Sequence, residues 1–156
     1  MKFSRRKLLC FALALPGLAT TPALAQLGAA IHVYKGRGCG CCTAWVEILK
    51  NERFAVTDEQ LHPADLIKLK IAKNVPKKLF SCHTAEIDGY IIEGHVPPAD
   101  IRRLISEKPD ALGIAVPEMP YGSPGMGPES EREAYDVFLF RKGEEPKVFT
   151  HYKAAG

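Results

Sequence analysis

Residues 31–53 read IHVYKGRGCGCCTAWVEILKNER, and the spacing of their apolar positions changes midway. Ile31-His32-Val33-Tyr34 alternates apolar with polar side chains, the two-residue period of a strand. Gly36-Arg37-Gly38 supplies a turn, because glycine reaches backbone conformations closed to other residues. Over residues 42–53 the apolar positions Trp45, Val46 and Leu49 fall at helical spacing, which predicts a helix. Cys39-Gly40-Cys41-Cys42 therefore sits where a strand passes into a helix.

The rest of the chain extends this unit. Residues 54–57 read as a second strand. Residues 64–73 read as a second helix, with Leu66, Leu69 and Ala72 apolar against Lys68, Lys70 and Lys73, ending before Pro76. Residues 81–87, the turn Asp88-Gly89 and residues 90–93 form a hairpin pattern. Pro97-Pro98-Ala99-Asp100 opens a third helix with apolar face Ile101, Leu104 and Ile105, stopping near Pro109. Strand, helix, strand, helix, strand, strand, helix is the order of an α/β, thioredoxin-like mixed sheet flanked by helices. Residues 113–128 hold four prolines and four glycines with Met119 and Met126, and are expected to form an added loop without regular structure. Residues 135–140 and 147–152 flank Lys142-Gly143 as a terminal hairpin.

Composition is consistent with one domain. The chain has 156 residues, 46% hydrophobic and 25% charged, which excludes disordered, collagen-like and multi-span membrane classes. Its net charge of +3 is concentrated at one end. Lys2, Arg5, Arg6 and Lys7 precede the apolar run at residues 8–18 and then Ala23-Leu24-Ala25, the three parts of a cleavable export signal over residues 1–25. Ser4-Arg5-Arg6-Lys7-Leu8-Leu9 also resembles a twin-arginine signal, so a Sec or a twin-arginine route to the periplasm is expected. The apolar run is short for a membrane span and Pro16-Gly17 interrupts it, so no stable insertion is expected after cleavage. Removing four basic residues from 21 leaves 17 against 18 acidic over residues 26–156, a net charge of −1. That balance gives no electrostatic case for nucleic acid.

Cys10 falls within the signal, which leaves Cys39, Cys41, Cys42 and Cys82. Three cysteines in four residues cannot act as independent disulfide staples, which argues against a purely structural role. Cys39 and Cys42 form a C-x-x-C pair at a helix start, where N–H groups favour a thiolate, so one reading is thiol–disulfide exchange with Cys39 as nucleophile and Cys42 as resolving thiol. Cys41 has no place in that two-cysteine cycle. A third thiolate serves a metal better, and soft sulfur suits Cu(I), with Zn(II) as the less favoured ion. In this fold the start of the third strand lies beside the helix start, so Cys82 is expected to face the Cys39-Gly40-Cys41-Cys42 turn. Lys35 and Arg37 ahead of Cys39 either lower thiol pKa values or form a solvated turn.

Histidine and methionine widen the candidate set. His95 precedes the third helix and can approach the cysteine turn as a metal ligand. His83 follows Cys82, and strand neighbours point to opposite faces, so both reach one metal only where the strand start is irregular. Met119 and Met126 offer thioethers suited to Cu(I), or simply fill apolar gaps. His32, His62 and His151 read as ordinary surface or strand residues, and Trp45 and Tyr90 as core.

Several motifs together resemble an exported family known as domain of unknown function 411, which includes CopG-type periplasmic copper-resistance proteins. They are Tyr34-Lys35, Cys39-Gly40-Cys41-Cys42 with Trp45, Ser81-Cys82-His83-Thr84-Ala85, Gly89-Tyr90, Glu93-Gly94-His95-Val96-Pro97, Val116-Pro117-Glu118-Met119-Pro120 and Gly122-Ser123-Pro124-Gly125-Met126. The resemblance spans residues 31–152. It implies a thioredoxin-like fold and copper binding through the C-x-C-C cysteines and Cys82. The leading expectation is a periplasmic protein of copper tolerance that binds Cu(I), with copper redox activity and other periplasmic copper-handling proteins as partners. The alternative is a thiol–disulfide oxidoreductase using Cys39 and Cys42.

Overall fold

A computed structural model describes residues 28–156, so the expected export signal at residues 1–25 lies outside the described residues. The chain runs β1 (Ala30–Gly36), α1 (Gly40–Asn51), β2 (Ala55–Leu61), α2 (Pro63–Ala72), β3 (His83–Ile87), β4 (Tyr90–Glu93), α3 (Pro98–Glu107), β5 (Gly113–Ala115), β6 (Tyr135–Phe140) and β7 (Lys147–Tyr152). The strands form one mixed sheet in the order β2-β1-β3-β4-β5-β6-β7. β1 pairs parallel with β2 and antiparallel with β3, and β3 pairs antiparallel with β4, the arrangement expected of a thioredoxin-like α/β fold.

One expectation fails at residues 113–128. Gly113, Ile114 and Ala115 form a buried interior strand, parallel to β4 and antiparallel to β6, ahead of the first proline of the loop at Pro117. Three residues are too few for alternation to register in sequence, and their pairing comes from strands on either side. The terminal hairpin β6–β7 thus continues the main sheet through β5.

Burial on both sheet faces fixes the register, since a one-residue slip would turn every inward side chain outward. Trp45, Val46 and Leu49 of α1 pack with Ile101 and Leu104 of α3 against Ile31, Val33, Ala85, Ile87, Ile92 and Ile114. A smaller cluster of Val75, Leu79, Ile91, Ala115 and Phe140 includes Ile91, whose side chain alternates with that of Ile92 across the sheet. α2 departs from the expected amphipathic helix. It buries Leu66 and Lys70, while Ile67 and Ile71 are exposed, so Lys70 does not belong to a solvated face. Among the described residues no helix is long and apolar enough to cross a membrane.

Candidate metal and thiol site

The helix begins two residues earlier than its apolar spacing suggests, because Cys39 caps it: the Cys42 N–H donates to Cys39 Sγ at 3.3 Å. That cap and the turn before it, with Gly38 at φ +72°, set Cys39, Cys41 and Cys42 around the first turn of α1. Cys39 and Cys42 are joined as a disulfide, while Cys41 and Cys82 are free and half-buried.

Cys82 arrives from the other side. Hydrogen bonding of β3 starts only at His83, and Cys82 occupies a bend before it. Strand alternation therefore does not apply across Cys82 and His83, and His83 Nδ1 lies 3.4 Å from Cys82 Sγ. Cys41 Sγ is 3.5 Å from Cys39 Sγ and 3.9 Å from Cys82 Sγ, and all four sulfurs lie within 4.8 Å of one another. The expected convergence of Cys82 on the cysteine turn is thus present in the fold.

His95 completes the cluster, with Nε2 3.0 Å from Cys82 Sγ. Its Nδ1 lies 2.8 Å from the Pro124 carbonyl, which can only accept, so Nδ1 carries the proton. Burial lowers the pKa of His95 and favours the neutral ring, leaving Nε2 a bare lone pair aimed at the sulfur. His83 is fully buried, and burial first, then His95 and Lys70, hold its pKa well below the usual imidazole value. Its Nε2 has no hydrogen-bond partner among the described residues. The ring packs on Trp45, whose indole N–H donates to the Val96 carbonyl at 2.9 Å. Soft sulfurs and a bare imidazole nitrogen fit a thiophilic metal ion.

The Pro/Gly loop covers this site. At Gly125, with φ +87°, a side-chain carbon would stand 2.8 Å from the Cys41 carbonyl oxygen and 2.9 Å from the Trp45 nitrogen, so only glycine permits the loop to lie on α1. Met126 follows it and is half-buried, whereas Met119 is exposed. His32, His62 and His151 take ordinary roles, bonded to Thr57, capping α2 and bonded to Asp136. A cleft of about 660 Å³ bordered by Glu52, Arg102, Arg132, Tyr135 and Tyr152 includes none of the cysteines in its lining.

The charges near the thiols differ from the sequence expectation. Lys35 is buried rather than in a solvated turn, and its ammonium pairs with Asp58 at 2.9 Å and donates to Thr43 Oγ1 at 3.3 Å. Arg37 is exposed on the turn, and the Cys82 thiol is pushed up to about 12, by burial first and by Cys41 second.

A further set of residues was given no site role in the sequence reading, although Ser81, Thr84 and Glu93 stand in the motifs quoted there. Glu93 Oε1 accepts from Lys70 Nζ at 2.5 Å and from the Ser81 N–H at 2.7 Å, and its Oε2 accepts from Thr84 Oγ1 at 2.6 Å. Lys70 also donates to Thr84 at 2.8 Å. Burial pushes Glu93 up and Lys70 down, while their contact opposes both shifts. The signal was the position of Lys70, four residues after Leu66 and so on the same helical face. Glu93 thereby ties the Ser81-Cys82 turn to the Glu93-Gly94-His95 turn, the two segments whose side chains meet at 3.0 Å.

Comparison with known proteins finds a family and solved structures similar to this chain. The family model described as "Protein of unknown function, DUF411" matches residues 79–126. The solved structure "Copper resistance protein copG- Form 2" is 42% identical, with a TM-score of 0.74, over 80% of this chain and 98% of that one. "Copper resistance protein copG- Form 1" is 41% identical, with a TM-score of 0.76, over 81% and 99%. No curated protein matches the chain.

Proposed function

Because the chain belongs to the DUF411 family of CopG-type copper-resistance proteins, we propose that it is a periplasmic copper-binding protein of copper tolerance, with copper ions as its cargo. Residues 1–25 direct export and residues 26–156 form the working domain. Cys39, Cys41, Cys42, Cys82 and His95 hold Cu(I), with His83, Met119 and Met126 as supplementary ligands. One observation carries this reading: four sulfurs lie within 4.8 Å of one another, with the bare Nε2 of His95 beside Cys82. Structural disulfides would not need that convergence, and a closed zinc site explains a crowded C-x-C-C turn less well than a soft ion bridged by several thiolates. Loading requires a thiol reductant to open Cys39–Cys42, which gains two electrons and two protons to become two thiols. Exchange with other periplasmic copper-handling proteins follows from the half-exposed position of Cys39 and Cys41.

Anaerobic titration of the reduced protein with Cu(I) against a chromophoric competitor tests the assignment. Copper that resists the competitor in the parent protein and is lost at least about tenfold in Cys41→Ser supports it. Equal retention by Cys41→Ser contradicts the cluster.

A second reading, thiol–disulfide oxidoreductase, is favoured by the Cys39–Cys42 bridge at the start of α1. It predicts insulin-disulfide turnover that survives Cys41→Ser and disappears in Cys39→Ser. Absence of turnover in the parent protein eliminates it.

A further inference from the structure

The four sulfurs form a continuous line of contacts. Cys42 is bonded to Cys39, Cys39 lies 3.5 Å from Cys41, and Cys41 lies 3.9 Å from Cys82. Cys82 in turn contacts the bare Nε2 of His95 at 3.0 Å. The middle position of Cys41, between a disulfide and another free thiol, is unexplained by a two-cysteine cycle.

We propose that the copper-free protein has a second disulfide, Cys41–Cys82, and that internal exchange moves the bridge between Cys39–Cys42 and Cys41–Cys82. The inference goes beyond the copper assignment, since no metal takes part in any step.

The exchange balances without an outside oxidant or reductant. Cys41 as thiolate attacks Cys39 Sγ; the Cys41–Cys39 bond forms, the Cys39–Cys42 bond breaks, and Cys42 leaves with the electron pair and takes up the proton given up by Cys41. Cys82 as thiolate then attacks Cys41 Sγ, which lies 3.9 Å away; the Cys82–Cys41 bond forms and the Cys41–Cys39 bond breaks. Cys39 leaves with that electron pair and takes up the proton given up by Cys82. Two thiols and one disulfide remain at the end, as at the start. Cys39 leaves beside the Cys42 N–H at the helix start, which favours a departing anion. The result is a reduced Cys39/Cys42 pair at the head of α1, with the oxidising equivalent stored on the inner Cys41/Cys82 pair.

Disulfide mapping of the copper-free full chain tests the proposal. Partial reduction, acid quenching and blocking with N-ethylmaleimide precede tryptic cleavage, which puts Cys39, Cys41 and Cys42 on residues 38–50 and Cys82 on residues 79–102. A bridge within residues 38–50 and a bridge joining the two peptides are therefore separate species. Molecules with one disulfide are expected to hold both, the joined form at roughly one-tenth or more, and to equilibrate at a rate independent of protein concentration. The joined form should fall at least about tenfold in Cys41→Ser and persist in Cys39→Ser and Cys42→Ser, where fragmentation places it on Cys41. Cys82→Ser, keeping the Cys39–Cys42 bridge, serves as the folding control. Only the internal bridge in the parent protein, with Cys82 blocked there and in Cys42→Ser, overturns the proposal, as does a joined form undiminished in Cys41→Ser. Copper titration plays no part in this readout, so failure of the copper assignment and failure of the exchange are distinguishable.

Discussion

At the scale of single residues the site depends on keeping two histidines neutral. Burial lowers both imidazole pKa values from 6.5, with His83 affected most. The unfolded chain therefore binds protons below pH 6.5 that the folded protein refuses. Stability from these groups is complete above pH 6.5 and is lost as pH falls from 6.5 toward the depressed folded values. We expect urea midpoints of the copper-free protein to drop between pH 7 and pH 5.5, at up to about 1.4 kcal/mol per pH unit for each histidine. His83→Gln should flatten that dependence; an unchanged slope would mean that His83 does not contribute. The cysteine cluster was legible at this scale because cysteine spacing is a local property of sequence. The pairing of Lys35 was not, since its neutralising partner Asp58 comes from the adjacent strand β2.

At the scale of elements, two joints bring the candidate ligands together. The first is the Glu93–Lys70–Thr84 network, whose Glu93 anchors the turn carrying Cys82. A buried ion pair contributes little net stability against an apolar replacement, but removing one partner strands the other charge. Glu93→Gln is expected to cost about 3–5 kcal/mol in denaturant unfolding and to weaken Cu(I) retention, with Lys70→Met added to it restoring much of the stability. A cost below about 1 kcal/mol for Glu93→Gln contradicts a buried charged pair. The second joint is the Pro/Gly loop. Gly125→Ala places a carbon against α1 at an unfavourable φ, and a loss of about 1–3 kcal/mol by the same measurement is expected. Periodicity offered only the four-residue spacing of Lys70 from Leu66, and nothing for the loop. Lys70 looked like one of three surface lysines, and only the carboxylate on β4 explains its burial. β5 likewise exists because β4 and β6 flank it, although long segments such as α1, α3 and the β6–β7 hairpin announced themselves by repeat and turn chemistry.

At the scale of the whole molecule, the fold brings residues 39–42, 82–83 and 95 to one place and covers them with the loop that carries Pro124 and Gly125. The topology β2-β1-β3-β4 performs this convergence, and β5, β6 and β7 extend the same sheet on the side of β4. The seven-stranded mixed sheet, the family match and the copper-resistance structures above 40% identity all concern this one architecture. The central claim we propose for it is that four cysteines act together on copper after export. The most direct test is metal analysis of protein recovered from the periplasm, paired with a free-thiol count after the metal is chelated anaerobically. We predict mature protein beginning at Gln26 that contains copper and yields Cys39, Cys41, Cys42 and Cys82 as free thiols. Metal-free protein with Cys39–Cys42 bridged and only Cys41 and Cys82 reactive would contradict the account.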